Sequence, residues 1–467
     1  MSLSVLEALS ILQPMDPLLS RLSLLPRDMR RDYYDETPKT LHKWLDGIAS
    51  LLTSLSGSPG KQGCAVSLTL LPSSCTATVA FDFSPPHPED AHNLLQSIWK
   101  WMKEAALREE SFEKDAELLD IILQATIEKT RQCLRERGWF IEPFLTRMDE
   151  EGHSFTDPQK AFLSAASKLH RVLTNRLSVE KPDFNLAAKV FIVLVEQYEA
   201  AKRGLDDDFS WLWPCETLVA KSGAQTSPAD WPSWVNYIAQ LREPYDHVLL
   251  IRRALRKPLM RDVLAIPFNV DVLPSSTPAP GTAFRSIDDL ETRVRSYLKS
   301  ALLSGFPSEG LKYVERTIDE LWGCIQNSAS WQPQSPLLPI HSECLLLFHH
   351  HNLDLHSPAS AAPYSYMGVS NPPCFQCVLF FHAYRMCKLE PCVEIRRCDY
   401  DSHETEPGVC AFPSQIDRAL ETEIGAQLGK IVGKLVDKKM EQVHRAASLA
   451  KLPDLSVLAK RYVDDEA

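Results

Sequence analysis

The chain has 467 residues, of which 44% are hydrophobic, so it is long enough for more than one hydrophobic core. Its formal net charge of -11 argues against extended nucleic-acid binding through a broad basic surface. No apolar run is long enough to span a membrane, no secretory signal is complete, and the cysteines do not form a dense disulfide framework. We therefore expect an intracellular protein, cytoplasmic or nuclear, that is neither secreted nor in contact with a membrane.

The N-terminal half is predicted to begin as a helical segment, 1–63, and then to change period. Within 37–57, large apolar residues recur at three- and four-residue intervals, as in an amphipathic helix: Leu41, Leu45, Ile48, Leu52 and Leu55. Residues 64–84 alternate apolar and polar side chains on both sides of Pro72-Ser73-Ser74. This period of two predicts a β-hairpin.

Residues 85–330 return to helical spacing and are predicted to form a large all-helical portion. Its segments, punctuated by Pro and Gly, fall near 90–108, 111–137, 158–177, 185–203, 228–241, 246–257, 286–304 and 308–327. The stretch 275–282, rich in Pro, Ser and Thr, links the last two segments to the others.

The C-terminal part, 331–413, alternates element types. We predict a helix from His341, a strand at 364–369, a helix from Pro373 to about Lys388 and a strand at 391–397. Residues 414–467 then read as a long helix and a tail. The fold class is therefore α/β, or α+β by content: a mixed sheet with flanking helices beside the all-helical portion. The long helix carries Gly425, Gly429 and Gly433 at four-residue intervals, which would let another helix of a partner or a second copy approach closely.

Two short motifs in 331–413 indicate a chemistry. His341-Ser342-Glu343 is an H-x-E sequence, and Pro373-Cys374-Phe375-Gln376-Cys377 is a P-C-x-x-C sequence. The pair is typical of zinc-dependent nucleobase deaminases. His341, Cys374 and Cys377 supply three ligands and leave the fourth position of a tetrahedral Zn²⁺ to water.

Such a centre can remove an exocyclic amine by hydrolysis. Zinc lowers the pKa of bound water from about 15.7 to about 7, and Glu343 is the candidate catalytic residue that moves protons. On one helix His341 and Glu343 would project about 200° apart unless His341 still precedes the helix. Cys374 and Cys377 share a helix face, Pro373 suits the first turn, and the positive helix end favours thiolates.

The residues of the two motifs are also compatible with other kinds of site. A second H-x-E, His87-Pro88-Glu89, also begins a helix, but it lies far from the CxxC sequence, which occurs once. A closed structural zinc site could pair Cys374 and Cys377 with two later residues, and the protein would then be non-catalytic, with the helices as an interaction surface. The later candidates are Cys387, Cys392, Cys398, Cys410, His382 and His403. A thioredoxin-like dithiol is a further alternative.

The run His349-His350-His351 is expected to form the solvated C-terminal end of the His341 helix, where imidazoles suit the helix dipole. We therefore do not count these three histidines among the predicted metal ligands.

The motif region resembles the cytidine deaminase-like superfamily, and more closely its fungal branch related to bacterial toxin deaminases. The resemblance covers about 335–413 and rests on His341-Ser342-Glu343 with the apolar helix after it, Gly368-Val369-Ser370, and the cysteine pair. It implies zinc on His341, Cys374 and Cys377, proton transfer by Glu343, and a nucleobase-containing substrate. It also implies a hairpin in the same sheet, for which 64–84 is the candidate, with the helical portion as an insertion. Asn371 stands where that branch usually has Lys, which bears on substrate orientation.

Overall fold

The computed structural model describes the following residues: 39–55, 63–82, 88–107, 112–138, 141–151, 155–177, 183–205, 209–213, 216, 234–274, 279–280, 292, 337–338, 341–356, 363–371, 373, 375–387, 393–395, 423–424 and 427.

These residues form ten α-helices and seven strands. The helices are α1 (Lys39–Thr53), α2 (Pro88–Ala106), α3 (Phe112–Arg137), α4 (Ile141–Glu151), α5 (Asp157–Leu177), α6 (Phe184–Arg203), α7 (Trp234–Leu255), α8 (Pro258–Leu264), α9 (Ser342–His356) and α10 (Phe375–Met386). The strands are β1 (Cys64–Leu71), β2 (Ser74–Phe81), β3 (Phe268–Val272), β4 (Ala279–Pro280), β5 (Leu337–Leu338), β6 (Tyr366–Val369) and β7 (Glu394–Ile395). The predicted α/β character is confirmed.

The described residues divide into two compact units. The sheet unit holds those between 39 and 274 together with 363–371, and the site unit holds the others, including α9 and α10. The chain thus leaves the sheet unit after β3, enters the site unit, and returns to the sheet unit for β6.

Four strands of the sheet unit form a mixed sheet in the order β3-β2-β1-β6. β1 and β2 are an antiparallel hairpin with Cys64 opposite Phe81. β6 lies antiparallel to β1, with Ala65 opposite Val369, and β3 lies parallel to β2, with Cys75 opposite Phe268. The hairpin and β6 therefore belong to one sheet although almost 300 residues separate them.

Helix α1 lies directly on β6. The Asp46 carboxylate accepts hydrogen bonds from the Tyr366 hydroxyl at 2.9 Å and from the Val369 amide at 3.0 Å. A Cβ placed on Gly368 would lie 2.2 Å from the carbonyl carbon of Leu45, so only glycine allows this approach. Beyond the strand, the Ser370 hydroxyl accepts from the Cys64 amide at 3.0 Å. The Gly-x-Ser sequence thus ties β6 to both α1 and β1.

The helices of the sheet unit share one hydrophobic core with α1 and the sheet. Trp99 of α2 stacks on Phe268 of β3, with ring centroids 4.0 Å apart. Phe144 of α4 stacks on Trp234 of α7 at 4.9 Å, and both are fully buried. The core extends from the strands through α2 to α8 without a break.

Most predicted elements are confirmed within a few residues. The helices predicted at 37–57, 90–108, 111–137, 158–177 and 185–203 correspond to α1, α2, α3, α5 and α6. The elements predicted from His341 to 397 correspond to α9, β6, α10 and β7. The predictions for 1–38, for 286–304 and 308–327 apart from Thr292, and for 414–467 apart from Glu423, Ile424 and Gln427 lie outside the described residues.

The structure corrects the prediction of an all-helical portion, because β3 and β4 lie within 85–330. Residues 268–272 form β3, whose side chains alternate between half-buried and exposed. Phe268, Val270 and Val272 alternate with Asn269 and Asp271, the pattern of a strand with one solvated face. The alternation in the sequence therefore indicated a strand, but it was overlooked among the helical segments around it.

Gly368→Ala is expected to destabilise the sheet unit, because its Cβ would overlap the backbone of Leu45. Overpacking of this kind costs about 1–3 kcal/mol. Gly138→Ala is the matched control, since its Cβ would meet nothing closer than 3.8 Å. Urea unfolding followed by fluorescence measures both changes; equal midpoints for the two variants would contradict the packing described here.

Candidate metal centre

The first turn of α9 positions two of the predicted site residues. The His341 carbonyl accepts the hydrogen bond of the Leu345 amide at 3.0 Å, so His341 is the N-cap residue and Ser342 begins the helix. An N-cap residue has non-helical backbone angles. The His341 ring is therefore not held on the far side of the helix from Glu343, and both side chains can reach one point.

The parallel packing of α9 and α10 brings in the third residue. Three contacts join the helices: Cys344 with Cys377, Phe348 with Phe380, and His351 with Tyr384. Their residue numbers differ by 33, 32 and 33, so the contacts advance in the same direction along both helices. The two N-terminal ends therefore lie together, with Cys377 at the third position of α10.

His341, Glu343 and Cys377 form a group that can hold a metal ion. One ligand atom from each lies within 4.8 Å of the others. The His341 Nδ1 is 3.2 Å from the Cys377 Sγ and 3.9 Å from the Glu343 Oε1. Among the described residues, it is the single cluster of at least three His, Cys, Asp or Glu side chains with this geometry.

The electrostatics of the group fit a cation. The Glu343 side chain is 8% exposed and Cys377 is fully buried. A buried carboxylate and a buried thiolate are costly unless a positive charge compensates them. The Ser342 hydroxyl donates to the Glu343 Oε2 at 3.4 Å, and the two helix N-termini add partial positive charge.

The spacing is compatible with zinc. A nitrogen and a sulfur bonded to one tetrahedral zinc lie about 3.6 Å apart, and the observed 3.2 Å is within a few tenths of an ångström of that value. Two such atoms from His and a carboxylate would lie about 3.3 Å apart, and the Glu343 Oε1 lies 3.9 Å from the His341 Nδ1.

Several predicted residues lie outside the described part of the chain. These are Cys374, His87 of the second H-x-E, and Cys392, Cys398, Cys410 and His403 of the structural-zinc alternative. Cys387 and His382 are described and do not belong to the metal group. Asn371 is exposed. Pro373 is buried but precedes the helix, which begins two residues later than expected.

The histidine run is not a solvated helix end, which corrects the prediction from the sequence. His350 is 4% exposed and His351 is 7% exposed. The His351 Nδ1 lies 2.8 Å from the Tyr384 hydroxyl, so α10 covers this face of α9. Burial, reinforced by the neighbouring His349, lowers the pKa of His350 to about 4.

The two sequence motifs did not identify Cys344 as part of this region. Cys344 is fully buried, and its Sγ is 3.7 Å from the Cys377 Sγ. Its position could have indicated this, because Cys344 follows His341 by three residues and therefore lies at the start of the same helix. The parallel register of α9 and α10, which the sequence alone does not give, brings the two sulfurs together.

No protein-family model, curated protein or solved structure matches this chain in the three comparisons. Among the helices that the structure describes, none has the length and apolar character needed to cross a membrane. The residues of the centre therefore carry the functional argument.

The pKa of His350 predicts a pH dependence of stability. The unfolded chain takes up this proton below about pH 6.5 but the folded chain only near pH 4, so stability is lost as the pH falls through this window. Between pH 7 and pH 5 the loss is about 2 kcal/mol. Urea unfolding of metal-free protein measures it, and His350→Gln is expected to reduce the loss.

The matched control is His92→Gln, because His92 is an exposed residue of α2. It is expected to keep the pH dependence of the unsubstituted chain. Identical slopes for the unsubstituted chain and His350→Gln would show that His350 does not titrate in this way.

Proposed function

We propose that the chain is a zinc-dependent hydrolytic deaminase that acts on the exocyclic amine of a nucleobase, either free, in a nucleotide or nucleoside, or in nucleic acid. The observation that carries the proposal is the convergence of His341, Glu343 and Cys377 within 4.8 Å. The resemblance of the H-x-E and P-C-x-x-C sequences to the cytidine deaminase-like superfamily supports it, and the sheet that joins the hairpin to β6 is compatible with that fold.

The proposal assigns the residues by their chemistry. His341 and Cys377 would hold zinc by nitrogen and sulfur, with Cys374 as the third ligand that the motif implies. When bound, zinc supplies a water molecule that loses its proton near neutral pH. Glu343, whose carboxylate lies 3.9 Å from the His341 Nδ1, would accept a proton from that water.

Glu343 would then move the protons. Its carboxylate takes one from the attacking water and delivers it to the ring nitrogen of the base, and a second transfer converts the amine to ammonia. The reaction replaces a C–NH₂ group by C=O and releases ammonia. The near-complete burial of Glu343 keeps bulk water from competing for these protons.

The experiment compares zinc content and ammonia release in purified variants. His341→Ala is expected to lose zinc, whereas Glu343→Gln keeps zinc and the fold but loses turnover by about 10²- to 10⁴-fold. A panel of free bases, nucleosides and single-stranded nucleic acid identifies the substrate. Circular dichroism verifies that each variant is folded.

Cys392→Ser and Cys398→Ser are the matched controls and are expected to retain zinc. If they lose zinc while His341→Ala keeps it, the metal is in a closed structural site and the chain is a non-catalytic protein with a helical interaction surface. Turnover that does not depend on Glu343 would also refute the proposed mechanism.

A further inference from the structure

Cys344 and Cys377 form a pair of thiols, of which the proposed deamination uses Cys377 but not Cys344. Each is the third residue of its helix, and neither is exposed to solvent. Their sulfur atoms lie 3.7 Å apart. Cys344 does not belong to the group of His341, Glu343 and Cys377, so Cys377 is shared between a metal group and a second thiol.

The two sulfurs are near enough to form a disulfide with little movement. An S–S bond is about 2.04 Å long, so the 3.7 Å separation must close by about 1.7 Å. Rotation of the Cys344 and Cys377 side chains about their Cα–Cβ bonds can bring the two sulfurs together by this distance. The helices need not separate, because Phe348 with Phe380 and His351 with Tyr384 fix the same register farther along.

We propose that Cys344 is an oxidation site that controls the metal centre: a peroxide joins Cys344 to Cys377 and thereby removes Cys377 from the metal. The inference rests on the proposed function only in taking Cys377 as a zinc ligand. A disulfide sulfur is no longer a thiolate, and the thiolate is the form that binds metal.

The reaction balances with hydrogen peroxide as the oxidant. The Cys377 sulfur attacks one peroxide oxygen, the O–O bond breaks, and the first water leaves with a sulfenic acid formed on Cys377. The Cys344 sulfur then attacks the Cys377 sulfur, the S–O bond breaks, and the second water leaves. The two thiols lose two protons and two electrons in total, which reduce the peroxide to water.

The geometry assigns the order of the two cysteines. The His341 side chain is 16% exposed and its Nδ1 lies 3.2 Å from the Cys377 sulfur, so in this proposal peroxide reaches Cys377 from the side of this ring. Both cysteines are fully buried, and the Cys344 sulfur contacts the Cys377 sulfur, which lies beside the His341 ring. Cys377 therefore reacts first and Cys344 resolves the sulfenic acid.

The experiment treats the zinc-loaded full-length chain with hydrogen peroxide and measures two quantities. A chromogenic chelator follows zinc release, and mass spectrometry of non-reduced peptides identifies the disulfide. We expect zinc release together with a Cys344–Cys377 linked peptide, both reversed by dithiothreitol and added zinc. Cys344→Ala is expected to bind zinc normally and to release it at least tenfold more slowly.

Cys387→Ala is the matched control, because Cys387 lies just beyond the other end of α10 and outside the metal group. It is expected to release zinc at the rate of the unsubstituted chain. Three results would overturn the inference: a Cys374–Cys377 bridge in the peptides, release from Cys344→Ala at the unsubstituted rate, or Cys344→Ala purified without zinc, which would make Cys344 a ligand.

If the proposed function is wrong, the peroxide experiment gives a different result from the one expected if only the oxidation site is wrong. A chain that binds no zinc has nothing to release, yet the peptides of the peroxide-treated chain still show whether Cys344 and Cys377 join. A chain that binds zinc but forms no such bridge retains the proposed function and loses the oxidation site.

Discussion

The candidate centre depends on the parallel register between α9 and α10. The contacts Cys344–Cys377, Phe348–Phe380 and His351–Tyr384 advance together along both helices, at the spacing by which one helix face packs against another. A shift of one turn would move Cys377 about 5.4 Å along its axis and out of reach of His341. The apolar and polar contacts farther along the pair therefore set the chemistry at its N-terminal end.

Periodicity in the sequence was sufficient to predict the long helices and the hairpin, because each depends on local spacing. Periodicity failed where tertiary packing determines whether a segment forms a helix or a strand. Two helices were predicted on either side of Pro244, yet α7 continues through this buried proline from Trp234 to Leu255. β3 was missed because it has only five residues and pairs with β2, which lies almost 200 residues earlier.

The candidate site was predictable in part. The two motifs named His341, Glu343 and Cys377 because their residue types are those that zinc chemistry requires, and the structure brings the three together. The burial of His350 and the contact of Cys344 with Cys377 were not predictable, since both follow from the way α10 covers α9. Sequence spacing fixes positions along one helix but not the register between two.

The pairing of β1 with β6 also constrains how the chain reaches its fold. Ala65 cannot pair with Val369 until the ribosome has synthesised nearly four fifths of the protein. Contacts of such long range slow folding, whereas the helices encoded between these strands can form and pack earlier. Until then the β1 edge has unpaired amides and carbonyls, so this hairpin is open to aggregation during translation.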